Sequence, residues 1–195
     1  MNRADIIQSL IDRYHYKSYC EIGVDSGEVF NKIKCDLKIG VDPDSNSVAT
    51  HKMKSEDFFT ALSFFCETYD IFFIDGLHHS NQCYRDILHA IHFLNDEGTI
   101  ICHDMLPTSK FMQETPQTTQ GEWTGDVWKA WIRLRMFHPD LYMRVVDCDY
   151  GCGIITKGKQ NLLFLKEEIN YENFQINAEK WMNIITEEEF KQIYL

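Results

Sequence analysis

The chain has 195 residues, 44% hydrophobic and 25% charged, the proportions of an ordinary globular protein able to bury about 70% of its unfolded surface around one core. Thirty acidic residues against nineteen basic ones leave a formal charge of −11, which argues against a nucleic-acid partner because phosphate backbones need clustered Lys and Arg. No apolar run approaches a membrane span and the N-terminus opens directly into an amphipathic stretch, so the expectation is no membrane, no export and a cytoplasmic location.

In chain order, Ala4 to Tyr14 carries apolar residues at 6, 7, 10, 11 and 14, a helical period. Tyr19 to Val24 and Leu37 to Val41 are short apolar runs bounded by turn residues, as in buried parallel strands. Between them lies the turn Gly23-Val-Asp-Ser-Gly27, after which a helix is expected. Ser55-Glu-Asp opens a helix through Phe58, Leu62 and Phe65, with Ser55 as the expected N-cap. Tyr69 to Asp75 is the strongest strand, Ser80 to Leu94 is helical, and Glu97 to Asp104 is the next strand. Strands separated by helices imply βαβ units, hence an α/β fold.

Residues 105–124 hold Pro107, Pro116 and Gly121 without periodicity, and are expected to form a lid over the substrate site. A helix over Asp126 to Phe137 follows. The strands Leu141 to Val146 and Gly153 to Thr156 then make an antiparallel hairpin, expected at the sheet edge. The tail from Asn161 is acidic and partly helical around Ala178 to Ile185. The expected organisation is one domain over 1–195, with a core over 1–157, the lid loop 105–124 and an acidic extension over 158–195.

The chemistry concentrates where strands end. Asp42 stands nineteen residues after Gly23, where an α/β nucleotide pocket places the acid that accepts ribose hydroxyls. The turn reads Gly-x-x-x-Gly, lacking the tighter glycine spacing that cradles a pyrophosphate, and Asp25 sits where an anion would approach. A negative side chain there tolerates a positively charged ligand, so the inferred cofactor is S-adenosylmethionine, a nucleoside carrying a sulfonium and no phosphate. Further polar ends are Lys54 to Glu56, Asp75 to His79, and His103-Asp104, each directly following an apolar run.

These residues resemble a class I S-adenosylmethionine-dependent methyltransferase over about residues 1–157. Glu21-Ile-Gly-Val-x-x-Gly27 resembles the family's first motif, and Gly40-Val-Asp-Pro43 its acidic second strand end. Asp70 to His78 and Gly98 to Asp104 resemble its fourth and fifth strands, and Asp149 to Ile155 the final hairpin of a small bacterial O-methyltransferase subgroup. The resemblance implies a Rossmann-like, doubly wound, seven-stranded sheet, mostly parallel with an antiparallel C-terminal hairpin. It implies that Glu21, Gly23, Gly27 and Asp75 lie at the cofactor, with Asp42 at the ribose and Ser55 and Glu56 at the adenine. On the residues alone, Asp42 has the same role, while Glu56 could serve only the helix N-terminus.

Metal-dependent relatives of the catechol type place one aspartate at the end of strand four and an Asp-Asn pair at the end of strand five. Asp75 and Asp104 match the acids, but Met105 stands at the asparagine, and thioether sulfur suits Mg²⁺ poorly. A divalent metal is left open; Asp75, Asp104 and His78 are the ligands it would use, a set suited to a softer ion. His78 lies where those relatives carry a lysine base, and an imidazole there could take the acceptor's proton. His103, oriented by Asp104, is the second candidate base. Trp128 and Trp131 fall at helical spacing and read as packing, whereas Trp123 in the loop is the better candidate for touching substrate.

The leading reading is methyl transfer to a hydroxyl of a small polar acceptor, with a sugar or glycan precursor as the first guess. The alternatives are a non-catalytic nucleoside-binding domain and an NAD-dependent oxidoreductase, against which the glycine spacing counts. Few residues precede the first strand, so the acceptor site is closed by the 105–124 loop, by the partner subunit of a homodimer, or hardly at all. The seven cysteines (20, 35, 66, 83, 102, 148, 152) read as free thiols, mostly buried, and without a Cys-x-x-Cys pair no structural zinc is expected.

Overall fold

The computed structural model describes residues 1–118 and 120–195. Helix α1 (Arg3–Tyr14) opens on a capping box in which Asn2 and Asp5 exchange backbone and side-chain hydrogen bonds, and buries Ile6, Ile7, Leu10 and Ile11. Strands β1 (Ser18–Ile22), β2 (Leu37–Val41), β3 (Tyr69–Ile74) and β4 (Leu94–Cys102) follow, with helices α2 (Ser55–Phe65) and α3 (Ser80–His92) between the later ones. Helix α4 (Trp128–Phe137), strands β5 (Leu141–Val146) and β6 (Cys152–Lys157), helix α5 (Tyr171–Met182), strand β7 (Ile184–Ile185) and helix α6 (Glu187–Tyr194) complete the chain.

The seven strands form one sheet in the order β2-β1-β3-β4-β6-β5-β7. Its first four strands are mutually parallel, β6 runs antiparallel to both β4 and β5, and β7 pairs parallel to β5. Period-two alternation sends Cys20 and Ile22 to one face, with Phe59, Ile87, Trp128, Trp131 and Trp181, while Tyr19 faces Ile7, Leu10, Phe30 and Phe190 on the other. The result is the expected Rossmann-like, doubly wound α/β sandwich.

Three local expectations are corrected. No regular helix follows Gly27. Asn31 and Ile33 amides reach the Gly27 and Val29 carbonyls at 3.0 and 3.3 Å, but the Lys34 amide donates to Gln8 Oε1 (2.8 Å). The Lys38 ammonium takes the Phe30 and Ile33 carbonyls at 2.6 and 2.9 Å, occupying acceptors a continuing helix would need. Ser55 is not an N-cap: Lys54 holds that position without a side-chain bond, and Ser55 Oγ instead accepts from Gln82 Nε2 at 3.2 Å.

The β5–β6 hairpin does not form the sheet edge, because β7 pairs with β5 through Val145–Ile184 and Val146–Ile185. The tail packs into the core through this pairing. Trp181, Met182 and Phe190 are fully buried, and Trp131 Nε1 donates to the Met182 carbonyl at 3.1 Å. The loop over 105–124 is tied to itself and to the hairpin, apart from position 119, which lies outside the described residues. Met105 and Leu106 amides donate to Gly151 and Tyr150 carbonyls, and the Thr124 and Gly125 amides both reach Met112 O at 3.0 Å.

Candidate active site

At the carboxyl ends of β1, β2 and β3 the sheet opens into a cleft of about 720 Å³, where the strand order reverses around β1. Gly23 turns the chain out of β1 at φ +90°, and a Cβ there would lie 2.0 Å from the Asp75 carbonyl oxygen, so only glycine lets β1 and β3 end this close. Asp42, buried at the end of β2, accepts the Asp25 amide on Oδ2 and the Asp44 amide on Oδ1, both at 2.8 Å. Those bonds fix the carboxylate at the cleft wall with lone pairs to spare.

Of the residues the sequence assigns to the cofactor, Gly23, Asp42, Ser55, Glu56 and Asp75 line this cleft, together with Asp25 and His78. Gly27 does not line it; its amide closes the preceding turn on the Val24 carbonyl at 2.8 Å. Glu21 lies behind the wall, 1% exposed, accepting the Tyr19 hydroxyl, and burial pushes its carboxyl up to about 8. Glu56 pairs with Arg85 at 3.0 Å.

Sequence reasoning missed the inner face of α3, where Gln82, Arg85 and Asp86 line the cleft. The available signal was an acid inside an apolar stripe: Asp86 falls among buried Cys83, Ile87 and Ala90. Burial pushes its carboxyl up to about 6, against hydrogen bonds from Ser55 and Gln82 that hold it down.

Beside the cleft, four of the singled-out side chains meet. His78 Nε2 lies 3.4 Å from both Asp75 Oδ1 and Asp104 Oδ2. His103 Nδ1 lies 3.2 Å from Asp104 Oδ1 and 3.5 Å from Asp75 Oδ1. His78 Nδ1 bonds the Trp123 carbonyl at 2.8 Å, and the two rings are 5.1 Å apart. The bond at Nδ1 turns Nε2 toward the two carboxylates. Gly125, at φ +60°, backs this contact, since a Cβ there would lie 1.9 Å from the His78 carbonyl oxygen.

Two further residues complete the cluster. Asp149, in the β5–β6 turn, has Oδ1 3.6 Å from His103 Nε2, and Arg3 of α1 donates to both its oxygens at 3.0 Å. Arg3 Nε also stands 3.9 Å from Asp75. Burial opposes charge on His103, but Asp104, Asp149 and Asp75 outweigh it and the imidazole is pushed up to about 12. His103 holds Asp149 well below the usual carboxylate range; Asp75 is held there by His103 and His78 against its own burial. His78 is raised, its burial outweighed by Asp75 and Asp104.

His103 is 6% exposed and does not line the cleft, whereas His78 does. Met105, at the expected asparagine position, is fully buried in the core and offers nothing to the cluster. Trp128 and Trp131 are fully buried packing residues, while Trp123 stays partly exposed, its Nε1 donating to the Glu114 carbonyl at 2.7 Å.

A reversed strand order, an acid closing β2 and paired acids closing β3 and β4 frame the cleft of this Rossmann-like fold. A protein-family model described as a methyltransferase domain is similar to this chain over residues 20–105, the stretch from β1 to the end of β4.

Among solved structures, an O-methyltransferase from Bacillus cereus in complex with SAH superposes with a TM-score of 0.62 at 12% identity, covering 80% of each chain. An O-methyltransferase from Streptomyces achromogenes involved in tomaymycin synthesis, in complex with SAM, gives 0.61 at 10% identity over 80% of this chain and 79% of its own. A methyltransferase of mycinamycin biosynthesis in complex with Mg and SAH gives 0.51 at 12% identity, over 89% of this chain and 54% of its own. At these identities the likeness is one of fold. No curated protein matches the chain by sequence.

Proposed function

We propose that the protein transfers the methyl group of S-adenosylmethionine to a hydroxyl oxygen of a small polar acceptor, a sugar or glycan precursor being the first class to try. The observation that carries this reading is the continuity of the cleft with the Asp75–His78–Asp104 cluster, through two residues, Asp75 and His78, that belong to both. Asp42 would accept the ribose hydroxyls and Gly23 would let the methionine end approach the backbone. Ser55 and Glu56 would border the adenine. Asp25, Asp42 and Asp75 put negative charge around a sulfonium, favouring donor binding while opposing loss of its charge on transfer.

The reaction is an in-line displacement, in which positioning of donor and acceptor does most of the work. His78 Nε2 is the base at the cleft: it takes the acceptor's proton while Asp75 and Asp104, each 3.4 Å away, stabilise the imidazolium that forms. His103, Asp149 and Arg3 position those carboxylates. The loop over 105–124 flanks His78 through Trp123, a partly exposed aromatic of the kind that suits a sugar ring or planar acceptor.

Ligand atoms of Asp75, His78 and Asp104 lie within 4.8 Å of one another, and the bond from His78 Nδ1 to Trp123 leaves Nε2 available, so the three fit a divalent cation. A bound cation would supply Lewis acidity to the acceptor hydroxyl in place of the imidazole base.

Calorimetric titration with S-adenosylhomocysteine, with and without Mg²⁺, Mn²⁺ or Zn²⁺, tests the reading on wild type and on Asp42→Ala checked for folding by circular dichroism. Micromolar binding that folded Asp42→Ala abolishes supports it; absence of binding under every condition overturns it.

A further inference from the structure

Behind the cleft, a second set of ligating atoms gathers where β4 meets the β5–β6 hairpin. We propose that His103, Asp149 and Cys152, with Cys148 beside them, form a closed site for a thiophilic divalent cation of the zinc class, distinct from the Asp75–His78–Asp104 cluster.

Ligating atoms of His103, Asp149 and Cys152 all lie within 4.8 Å of one another. His103 Nε2 and Asp149 Oδ1 are 3.6 Å apart, close to the roughly 3.4 Å edge of a tetrahedron built on zinc–nitrogen and zinc–oxygen bonds. Nε2 is buried without a hydrogen-bond partner, on a side chain that is 6% exposed, and it faces Asp149. An unsatisfied buried nitrogen is costly unless something occupies its lone pair or proton.

The opposite nitrogen of the same ring faces Asp104 at 3.2 Å and Asp75 at 3.5 Å, the carboxylate–histidine support that orients metal-bound imidazoles through their other nitrogen. Asp149 is held by Arg3, whose backbone amide bonds Oδ2 and whose guanidinium bonds both oxygens, and Oδ1, turned to His103, keeps a further lone pair for an ion.

Sulfur decides the class of ion. Cys152 is fully buried at the start of β6, and the Cys148 thiol engages it across the turn that the Gly151 amide closes on the Cys148 carbonyl at 2.7 Å. Thiolate and imidazole donors select zinc-class ions over magnesium or calcium. The spacing Cys148-x-x-x-Cys152 escapes a search for the tighter Cys-x-x-Cys pair. Binding would release the Cys152 thiol proton, the Cys148 thiol proton where that side chain ligates, and any proton on His103 Nε2, all to solvent. The ion would tie the end of β4 to the hairpin turn, and so fix the imidazole against Asp75 and Asp104.

The test is optical and needs no cofactor or acceptor, so its failure is separate from failure of the methyltransferase reading. The full-length protein, kept reduced with a phosphine, is titrated with Co²⁺ and followed for the near-ultraviolet thiolate-to-cobalt charge-transfer band. The band is expected in wild type, in Cys66→Ser and in Asp75→Asn, and is expected to vanish in Cys152→Ser. Asp149→Asn should weaken Co²⁺ binding by at least about tenfold. No band in wild type, or a band that survives Cys152→Ser, overturns the proposal. Should Cys152→Ser not fold, zinc-edge X-ray absorption on the wild-type protein decides. Sulfur in the coordination sphere supports the site, and oxygen and nitrogen alone refute it.

Discussion

Asp86 offers a test in which the sign of an effect reverses the usual expectation for a buried residue. It is 2% exposed on the inner face of α3, accepting Gln82 Nε2 at 2.9 Å, and burial pushes its carboxyl from 3.8 to about 6. In the unfolded chain the group ionises near 3.8, so below about pH 4 both states are protonated and the native fold carries no charge penalty here. As pH rises through 6 the native state must bury a carboxylate, and that protonation-linked stability is lost.

A difference of about two units corresponds to about 3 kcal/mol. Asp86→Asn keeps an acceptor for Gln82 and removes the charge, so it should stabilise the protein by roughly 2 kcal/mol near neutral pH, or about 4–8 °C in Tm. Urea denaturation of wild type and variant at about pH 4 and about pH 7.5 measures this directly, because other titrating groups cancel in the difference. A gain that is the same at both pH values, or a loss at neutral pH, would refute the reasoning.

Gly125→Ala should drive its new methyl into the His78 backbone, costing about 1–3 kcal/mol and suppressing methyl transfer, while S-adenosylhomocysteine affinity measured by calorimetry is largely retained. Trp181→Ala should cost about 3–5 kcal/mol by urea denaturation, since the indole is fully buried in the core; a loss under about 1 kcal/mol would make the C-terminal segment an accessory.

Much of the fold was legible because buried parallel strands are continuous apolar runs, and β1 and β3 fall along those runs. The elements that escaped are those decided by distant partners. Strand β7 is two residues long, too short for any period to show, and exists because β5 is there to pair with it. The missing helix after Gly27 is settled by Lys38 and Gln8, which claim its carbonyls and an amide from outside the segment.

Strand ends exposed the candidate site for a topological reason: Asp42, Asp75 and Asp104 each terminate a run, and parallel strands bring such ends together. Arg3 and Asp149 stayed hidden because the bond that joins them spans 146 positions of sequence. Asp86 was hidden by its own helix, where an acid in an apolar stripe reads as a flaw in the pattern until the cleft beside it is seen.

The parallel pairing of β5 with β7 has a consequence for how the molecule is made. A parallel neighbour cannot be supplied by a tight turn, and Val146 must wait for Ile185, with helix α5 threaded between them. At translation rates of about 5–20 residues per second, those intervening residues leave β5 exposed as an open edge for roughly 2–8 s after it emerges. An unpaired edge of that length is a template for intermolecular pairing. Released chains truncated between residues 160 and 180 should therefore be the ones that trap chaperones or aggregate, although most of the sheet is already available to them.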